Sequence, residues 1–203
     1  MLSEINSLAV SPDAEILASG SQDKTVKIWR TDDLGLITTL SGHRRGIWCT
    51  KFFYDSSVQQ VILVTASADS NIKLWKKSTA NSYMCIHTLE GHLSSVLSVT
   101  ALPASKGSGT KLATVSSDGL LKLWSSENNW VGDVGSFDAH DDKIWAVTCV
   151  EQDKILTGIT NRQIYSYAGM KSCTVSEFFS KYSEFGVLEA DFSEFFSKYF
   201  EWW

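Results

Sequence analysis

The stretch "SADSNIKLW", residues 67–75, decides the fold because the chain repeats it. Two further stretches, "SQDKTVKIW" at 21–29 and "SSDGLLKLW" at 116–124, align with it without gaps. In each copy a serine lies two residues before an aspartate, and the aspartate lies six residues before a tryptophan. A unit that recurs at a nearly constant spacing is typical of repeat architectures, in which each unit packs against its neighbours. The sequence therefore predicts a chain built from repeats.

A short motif that contains histidine precedes the second and third copies and recurs after the third. It reads "GHRRGIW" at 42–48, "GHLSSVL" at 91–97 and "AHDDKIW" at 139–145. His43 lies 26 residues before Asp69, and His92 lies 26 residues before Asp118. Because histidine and aspartate recur at one spacing, we expect these histidines to share one role in every repeat.

The local patterns indicate β-structure. "TVKIW", "NIKLW" and "LLKLW" alternate apolar and polar residues with period two, and β-branched runs such as "VILVTAS" precede turn residues. One unit is predicted to contain four short strands, "GIWCTKF", "VILVTAS", "NIKLW" and "CIHTLEG". The prediction is an all-β protein whose repeats fill residues 1–172, in units of about 1–40, 41–89, 90–137 and 138–172.

These motifs resemble the WD40-repeat family, whose units are four-stranded blades of a β-propeller. The resemblance implies a buried hydrogen-bonded network of histidine, serine, aspartate and tryptophan within a blade. It assigns structural roles to Ser21, Asp23 and Trp29 in the first copy, to His43, Ser67, Asp69 and Trp75 in the second, and to His92, Ser116, Asp118 and Trp124 in the third. The buried aspartate needs donors, which imidazole, hydroxyl and indole groups supply.

The fourth copy is degraded. Its His140 faces Ile159, Asn161 and Tyr167 instead of serine, aspartate and tryptophan. We therefore expect three well-formed blades and a looser fourth, which together make an incomplete propeller.

Little catalytic chemistry remains once these residues are assigned to the scaffold. The sequence contains no nucleophile elbow, phosphate-binding loop or zinc-protease motif. Residues 173–203 carry six acidic residues and two lysines, so most of the net charge of −5 lies there and the repeats are nearly neutral. A neutral body does not attract nucleic acid over a distance. We predict a protein that is not an enzyme, with no cofactor, metal, membrane or small-molecule partner.

Propellers bind partners through loops at the entrances to the inner strands, so the positions after each histidine carry the functional information. The predicted binding rim comprises Arg44, Arg45, Trp48, Ser95, Leu97, Lys143 and Trp145. Tryptophan and arginine are enriched at interface hot spots. Two alternatives stay open here: the tryptophans either face the channel mouth or pack between blades, and the arginines either bind an anionic group or form a solvated turn.

Three segments are similar in sequence to late repeats of the transducin-beta-like protein 3 family: "SGHRRGIWCTKF", "LEGHLSSVLSV" and "DAHDDKIWAV". That resemblance implies a nucleolar scaffold of the small-subunit processome, a small nucleolar ribonucleoprotein assembly that processes pre-rRNA. Its partners would be other propeller proteins, and any contact with RNA would be indirect. The alternative function is a peptide-recognition module in ubiquitin ligation, signalling or chromatin.

Two features depart from that family. Fewer blades are predicted than a closed propeller needs. Either partners or a second copy cover the open edges, or the chain is a remnant of a longer gene product. We favour the remnant. In addition, "SEFFSKY" occurs twice in the aromatic, acidic residues 173–203. Phe192, Phe195, Phe196, Tyr199, Phe200 and Trp203 share helical spacing. This tail is predicted to be either an aromatic helix or a disordered terminus unrelated to the repeats.

Overall fold

The computed structural model describes residues 3–55, 58–79, 81–102, 109–151, 154–159 and 164–168. The first two sheets contain β1 (Ile5–Val10), β2 (Ile16–Ser21), β3 (Val26–Arg30) and β4 (Leu36–Leu40), followed by β5 (Ile47–Asp55), β6 (Gln60–Ser67), β7 (Ile72–Thr79) and β8 (Ser82–Leu89). The third contains β9 (Val96–Leu102), β10 (Lys111–Ser116), β11 (Leu120–Ser125) and β12 (Gly135–Asp138), with a 3-10 turn at Ser126–Asn128. The fourth contains β13 (Ile144–Glu151), β14 (Lys154–Ile159) and β15 (Ile164–Ala168).

Each sheet is an antiparallel meander in chain order, with four strands in the first three sheets and three in the described part of the fourth. The innermost strands β1, β5, β9 and β13 of successive sheets lie side by side. The predicted fold class, an all-β incomplete propeller with three complete blades and a lesser fourth, is confirmed. The predicted aromatic helix and the whole tail lie outside the described residues.

One hydrophobic core lies between each pair of neighbouring blades. Ala18, Val26 and Ile28 of the first blade pack against Ile47, Leu63 and Trp75 of the second. A second core joins blades two and three, and a third joins blades three and four. Period-two alternation produces this arrangement, because each strand of an interior blade presents one set of side chains to the preceding blade and the other set to the following one. The cores therefore stack the blades in chain order.

A β-bulge interrupts the alternation at the same position of every inner strand. The pairing register shifts between Ile47 and Cys49, and equivalent shifts occur near the starts of β1, β9 and β13. A bulge places two residues of one strand opposite a single partner and changes the direction of the side chain. Trp48 occupies this position in the second blade and Trp145 in the fourth, directly beside the predicted rim.

Candidate functional site

Four side chains of the second blade form a continuous buried network. The Nδ1 atom of His43 lies 2.9 Å from Asp69 Oδ2, and its Nε2 atom lies 2.8 Å from Thr65 Oγ1. The indole Nε1 of Trp75 donates to the same Thr65 hydroxyl at 2.9 Å. Because the carboxylate can only accept, His43 donates through Nδ1 and its Nε2 accepts from Thr65. The threonine hydroxyl thus joins the histidine to the tryptophan.

The third blade repeats this geometry. His92 Nδ1 lies 3.0 Å from Asp118 Oδ2, and His92 Nε2 lies 2.9 Å from Thr114 Oγ1. Trp124 Nε1 donates to Thr114 at 2.8 Å. The side chains of His92 and Asp118 are 0% and 5% exposed. Two blades therefore contain equivalent buried networks.

The hydroxyl in each network differs from the predicted one: Thr65 and Thr114 occupy the position that the sequence analysis assigned to Ser67 and Ser116. Strand geometry supplies the reason. Trp75 pairs across the sheet with Leu63, so Thr65 is the next residue on the same face, whereas Ser67 is one step farther along the strand. Since each step of two residues is about 6.6 Å, the indole reaches the first hydroxyl and not the second.

Ser67 instead closes the turn that follows its strand. Its hydroxyl donates to the carbonyl oxygen of Gly46 at 2.9 Å and accepts from the backbone N–H of Asp69 at 3.1 Å. Ser21 and Ser116 accept the corresponding bond from Asp23 and Asp118. The serines therefore orient the aspartates, and in the second and third blades the described hydroxyl bonded to the histidine and tryptophan side chains is that of a threonine.

The first and fourth blades contain parts of the network. In the first, Trp29 Nε1 donates to Ser19 Oγ at 2.9 Å, and Asp23 accepts from the backbone N–H of Thr25. In the fourth, His140 Nε2 lies 2.9 Å from Thr157 Oγ1. Asn161 and the Tyr167 side chain lie outside the described part of the chain, so the predicted loss of the fourth network stays a prediction.

Burial disfavours the charged form of His43 and of His140. It lowers the pKa of His43 below its ordinary value, although the nearby carboxylate of Asp69 opposes that shift. It lowers the pKa of His140 further, to about 4. Burial alone would raise the pKa of Asp118, but hydrogen bonds from His92 and from the N–H groups of Leu120 and Leu93 outweigh it and place that pKa at about 2. His43 and His92 are each held between two fixed partners, an aspartate and a threonine.

The predicted rim residues differ in how much of each side chain reaches the surface. Arg44, Arg45 and Lys143 are exposed, and Ser95 is half-buried. Leu97 is only 8% exposed and belongs to the buried residues, so it is not available to a partner. Arg44 contributes to the network only through its backbone N–H, which donates to Asp69. The Arg45 guanidinium donates to the carbonyl oxygen of Ala68 at 3.4 Å.

The two tryptophans at the bulge positions are not equivalent. Trp145 is 49% exposed, whereas Trp48 is largely covered and its buried Nε1 has no hydrogen-bond partner among the described residues. Asn6, at the bulge position of the first blade, donates to the carbonyl oxygen of Ile47 at 2.8 Å and so joins the first two inner strands. This geometry favours the packing alternative for Trp48 and the surface alternative for Trp145.

Within the described ranges, no group of three or more histidine, cysteine, aspartate or glutamate side chains is arranged to hold a metal ion. The same residues include no helix that is both long and apolar enough to cross a membrane.

Stacked four-stranded blades, with histidine, aspartate and tryptophan joined through a threonine, define the chain as a member of the WD40-repeat family. The family described as "WD domain, G-beta repeat" matches residues 2–30, 34–76 and 83–125, which together are more than half of the chain. Domains of this family mediate protein–protein interactions.

Several curated proteins are similar to parts of the chain. "Nuclear distribution protein PAC1" of Arthroderma otae is 38% identical over 124 residues, which is 59% of this chain and 26% of that protein. "Nuclear distribution protein nudF 1" of Talaromyces marneffei is 34% identical over 142 residues, 66% of this chain and 30% of that protein. "Transducin beta-like protein 3" of Bos taurus is 52% identical over 48 residues, 24% of this chain and 6% of that protein. The chain thus spans at most about a third of the length of these relatives.

Proposed function

We propose that the protein is a non-catalytic scaffold that binds another protein through the exposed rim formed by Arg44, Arg45, Lys143 and Trp145. The observation that carries this proposal is that the histidine side chains are buried, whereas the rim side chains are exposed. His43, His92 and His140 each contact a buried threonine, whereas the arginines and Trp145 face the surface. The scaffold therefore leaves its exposed rim for recognition.

The chemistry of the rim indicates the kind of surface it would bind. Two adjacent guanidinium groups suit a carboxylate-rich segment, because arginine forms paired, charge-assisted hydrogen bonds with carboxylates. A half-exposed indole adds apolar area at low conformational cost. A protein partner with acidic residues beside an apolar side chain fits both features.

We further propose that this scaffold serves pre-rRNA processing in the nucleolus, with propeller proteins of the small-subunit processome as partners. The support is the 52% identity to transducin beta-like protein 3, which exceeds the identity to the nuclear distribution proteins but covers a shorter segment. The longer matches to nuclear distribution proteins favour a second candidate, a scaffold in nuclear distribution.

Affinity purification of the tagged chain from its source cells tests these proposals. Recovery of processome propeller proteins together with pre-rRNA is expected for the first pathway. Recovery of nuclear distribution factors instead would support the second candidate, and ubiquitin-ligase, signalling or chromatin proteins would support the peptide-recognition alternative.

A charge-matched pair of variants tests the rim itself. The double variant Arg44→Ala/Arg45→Ala should lose at least ten-fold of the recovered partner. The double variant Lys76→Ala/Lys77→Ala removes another basic pair outside the rim and should retain it. Equal recovery with both variants would contradict the assignment of the rim.

A further inference from the structure

The loops that follow the three buried histidines differ in charge at one equivalent position. That position is the residue directly after each histidine, and it is occupied by Arg44, Leu93 and Asp141, all of which are exposed. Residues 44–46 include two arginines, residues 93–95 include no charged residue, and residues 141–143 include two aspartates and one lysine. The charge along the rim therefore changes from positive through neutral to negative across three successive blades.

Backbone hydrogen bonds hold these loops in place. The N–H of Arg44 donates to Asp69 Oδ2 at 2.8 Å, and the N–H of Leu93 donates to Asp118 Oδ2 at 2.8 Å. The loop of the fourth blade is joined to the third blade, because the backbone N–H of its histidine donates to the carbonyl oxygen of Gly119 at 3.3 Å. The three positions therefore have a fixed order along the rim.

Leu93 is the apolar residue of this row. It is 85% exposed, which is the largest exposed fraction among the large hydrophobic side chains of the described residues. The third blade packs against the second on one side and the fourth on the other, so this exposure does not arise at an open side of the array. The sequence analysis missed Leu93 because it assigned the apolar rim contact of this blade to Leu97, which is buried. A partner that covered Leu93 would remove apolar area from water.

Sheet dimensions give the length of a segment that would reach all three positions. Sheets packed face to face lie about 10 Å apart, so equivalent positions of neighbouring blades are separated by about that distance, and Arg44 and Asp141 by about 20 Å. An extended chain advances about 3.3 Å per residue. An extended segment that crosses the rim therefore places about every third residue beside the next blade.

We propose that the rim binds an extended segment of a partner protein in which an acidic, an apolar and a basic residue follow one another at intervals of about three residues. This inference rests on the proposed binding function of the rim and specifies the partner. The acidic residue pairs with Arg44 and Arg45, the apolar side chain covers Leu93, and the basic residue pairs with Asp141. Charge complementarity carries the proposal, because opposite charges at the two ends of the row fix how the segment lies across the three blades.

Selection from a phage-displayed library of random peptides tests the proposal with the full chain immobilised. Peptides of about twelve residues are long enough to span the row in several registers. The parent chain should enrich peptides with this order of acidic, apolar and basic residues at least ten-fold. Leu93→Ser should abolish the apolar preference and keep both charged ones. Val131→Ser is the matched control and should select the same peptides as the parent, because Val131 is an exposed apolar residue of the same blade in the loop between β11 and β12, at the opposite end of the strands.

Charge reversal at each end of the row tests the order itself. Arg44→Glu/Arg45→Glu should replace the acidic preference by a basic one, and Asp141→Lys should replace the basic preference by an acidic one. Circular dichroism confirms that each variant folds. Selected peptides without the apolar residue, or preferences that do not follow the reversed charges, would overturn the inference.

This inference can fail while the proposed function holds. If Arg44→Ala/Arg45→Ala lowers the recovery of the partner but the library shows no ordered motif, the rim binds a protein and the proposed order of residues is wrong. If that double variant recovers the partner as well as the parent chain does, the assignment of the rim is wrong and the inference fails with it.

Discussion

At the scale of single residues, the hydroxyl that joins histidine to tryptophan is the least replaceable part of the network. Thr65 serves two buried nitrogen atoms, the Nε2 of His43 and the Nε1 of Trp75. Removing it leaves both without a partner in a region that water does not reach, and an orphaned buried polar group costs about 1–3 kcal/mol.

The substitution Thr65→Val keeps the volume of the side chain and deletes only the hydroxyl. We expect the free energy of unfolding to fall by about 2–4 kcal/mol, because two hydrogen bonds are lost together. Urea unfolding followed by circular dichroism measures the change. Thr39→Val, at an exposed position of β4, is the matched control and should change stability by less than about 0.5 kcal/mol.

Acid should destabilise the protein through His140 before it affects the aspartates. Burial lowers the pKa of His140 from 6.5 to about 4, so the unfolded chain binds a proton at a higher pH than the folded chain does. The linked stability is therefore fully present above pH 6.5 and is lost as the pH falls towards 4. We expect a loss on the order of 2 kcal/mol across this window.

The variant His140→Gln isolates this effect, because glutamine accepts a hydrogen bond without titrating. Urea unfolding at several pH values should show a flatter dependence between pH 6.5 and 4 than in the parent chain. The same slope in both proteins would show that His140 does not control acid stability.

Part of the network was predictable from the sequence and part was not. The recurring distance between His43 and Asp69 predicts their contact, and the structure places them 2.9 Å apart. The role of Thr65 was missed although its signal was present: Ser19, Thr65 and Thr114 each lie ten residues before a tryptophan. Choosing between two hydroxyls on one face of a strand requires the cross-strand register, which the spacing of the motif alone does not reveal.

At the scale of elements, the period-two alternation predicts which face each side chain occupies in the middle of a strand, but not at the start of the inner strand. The bulges at Trp48 and Trp145 interrupt the period, so the faces of these residues could not be assigned from alternation. Their different burial depends on neighbouring chain segments. Asn6 of the first blade, for example, donates to the carbonyl oxygen of Ile47 at the start of β5.

The approach of β2 to β5 gives a test of how tightly neighbouring blades pack. A Cβ atom added to Gly20 would lie 2.7 Å from methyl groups of both Ile47 and Thr50. We therefore expect Gly20→Ala to destabilise the protein by about 1–3 kcal/mol, the usual effect of overpacking.

Gly158 occupies the equivalent position of the fourth blade and is the control. Among the described residues, a Cβ added there meets only Ala146, at 3.9 Å, so Gly158→Ala should be nearly neutral. Thermal unfolding of both variants measures the difference. If the two alanine variants proved equally stable, the close packing between the first two blades would be wrong.

At the scale of the whole molecule, the repeats explain how the blades are held together. Three interblade cores, each built from the same positions, were implied by the repeated motifs, because every unit of this type must bury its two faces against neighbours. The repeated motifs do not specify what packs against the outer sides of the first and fourth blades.

We propose that a coupled buried network explains the histidines. A double-mutant cycle on His43→Ala and Thr65→Val tests it most directly, with urea unfolding as the measurement. We expect the double variant to lose less stability than the sum of the single variants, by about 1 kcal/mol or more, because each single substitution already breaks the shared bond. Additive losses, within about 0.5 kcal/mol, would contradict it.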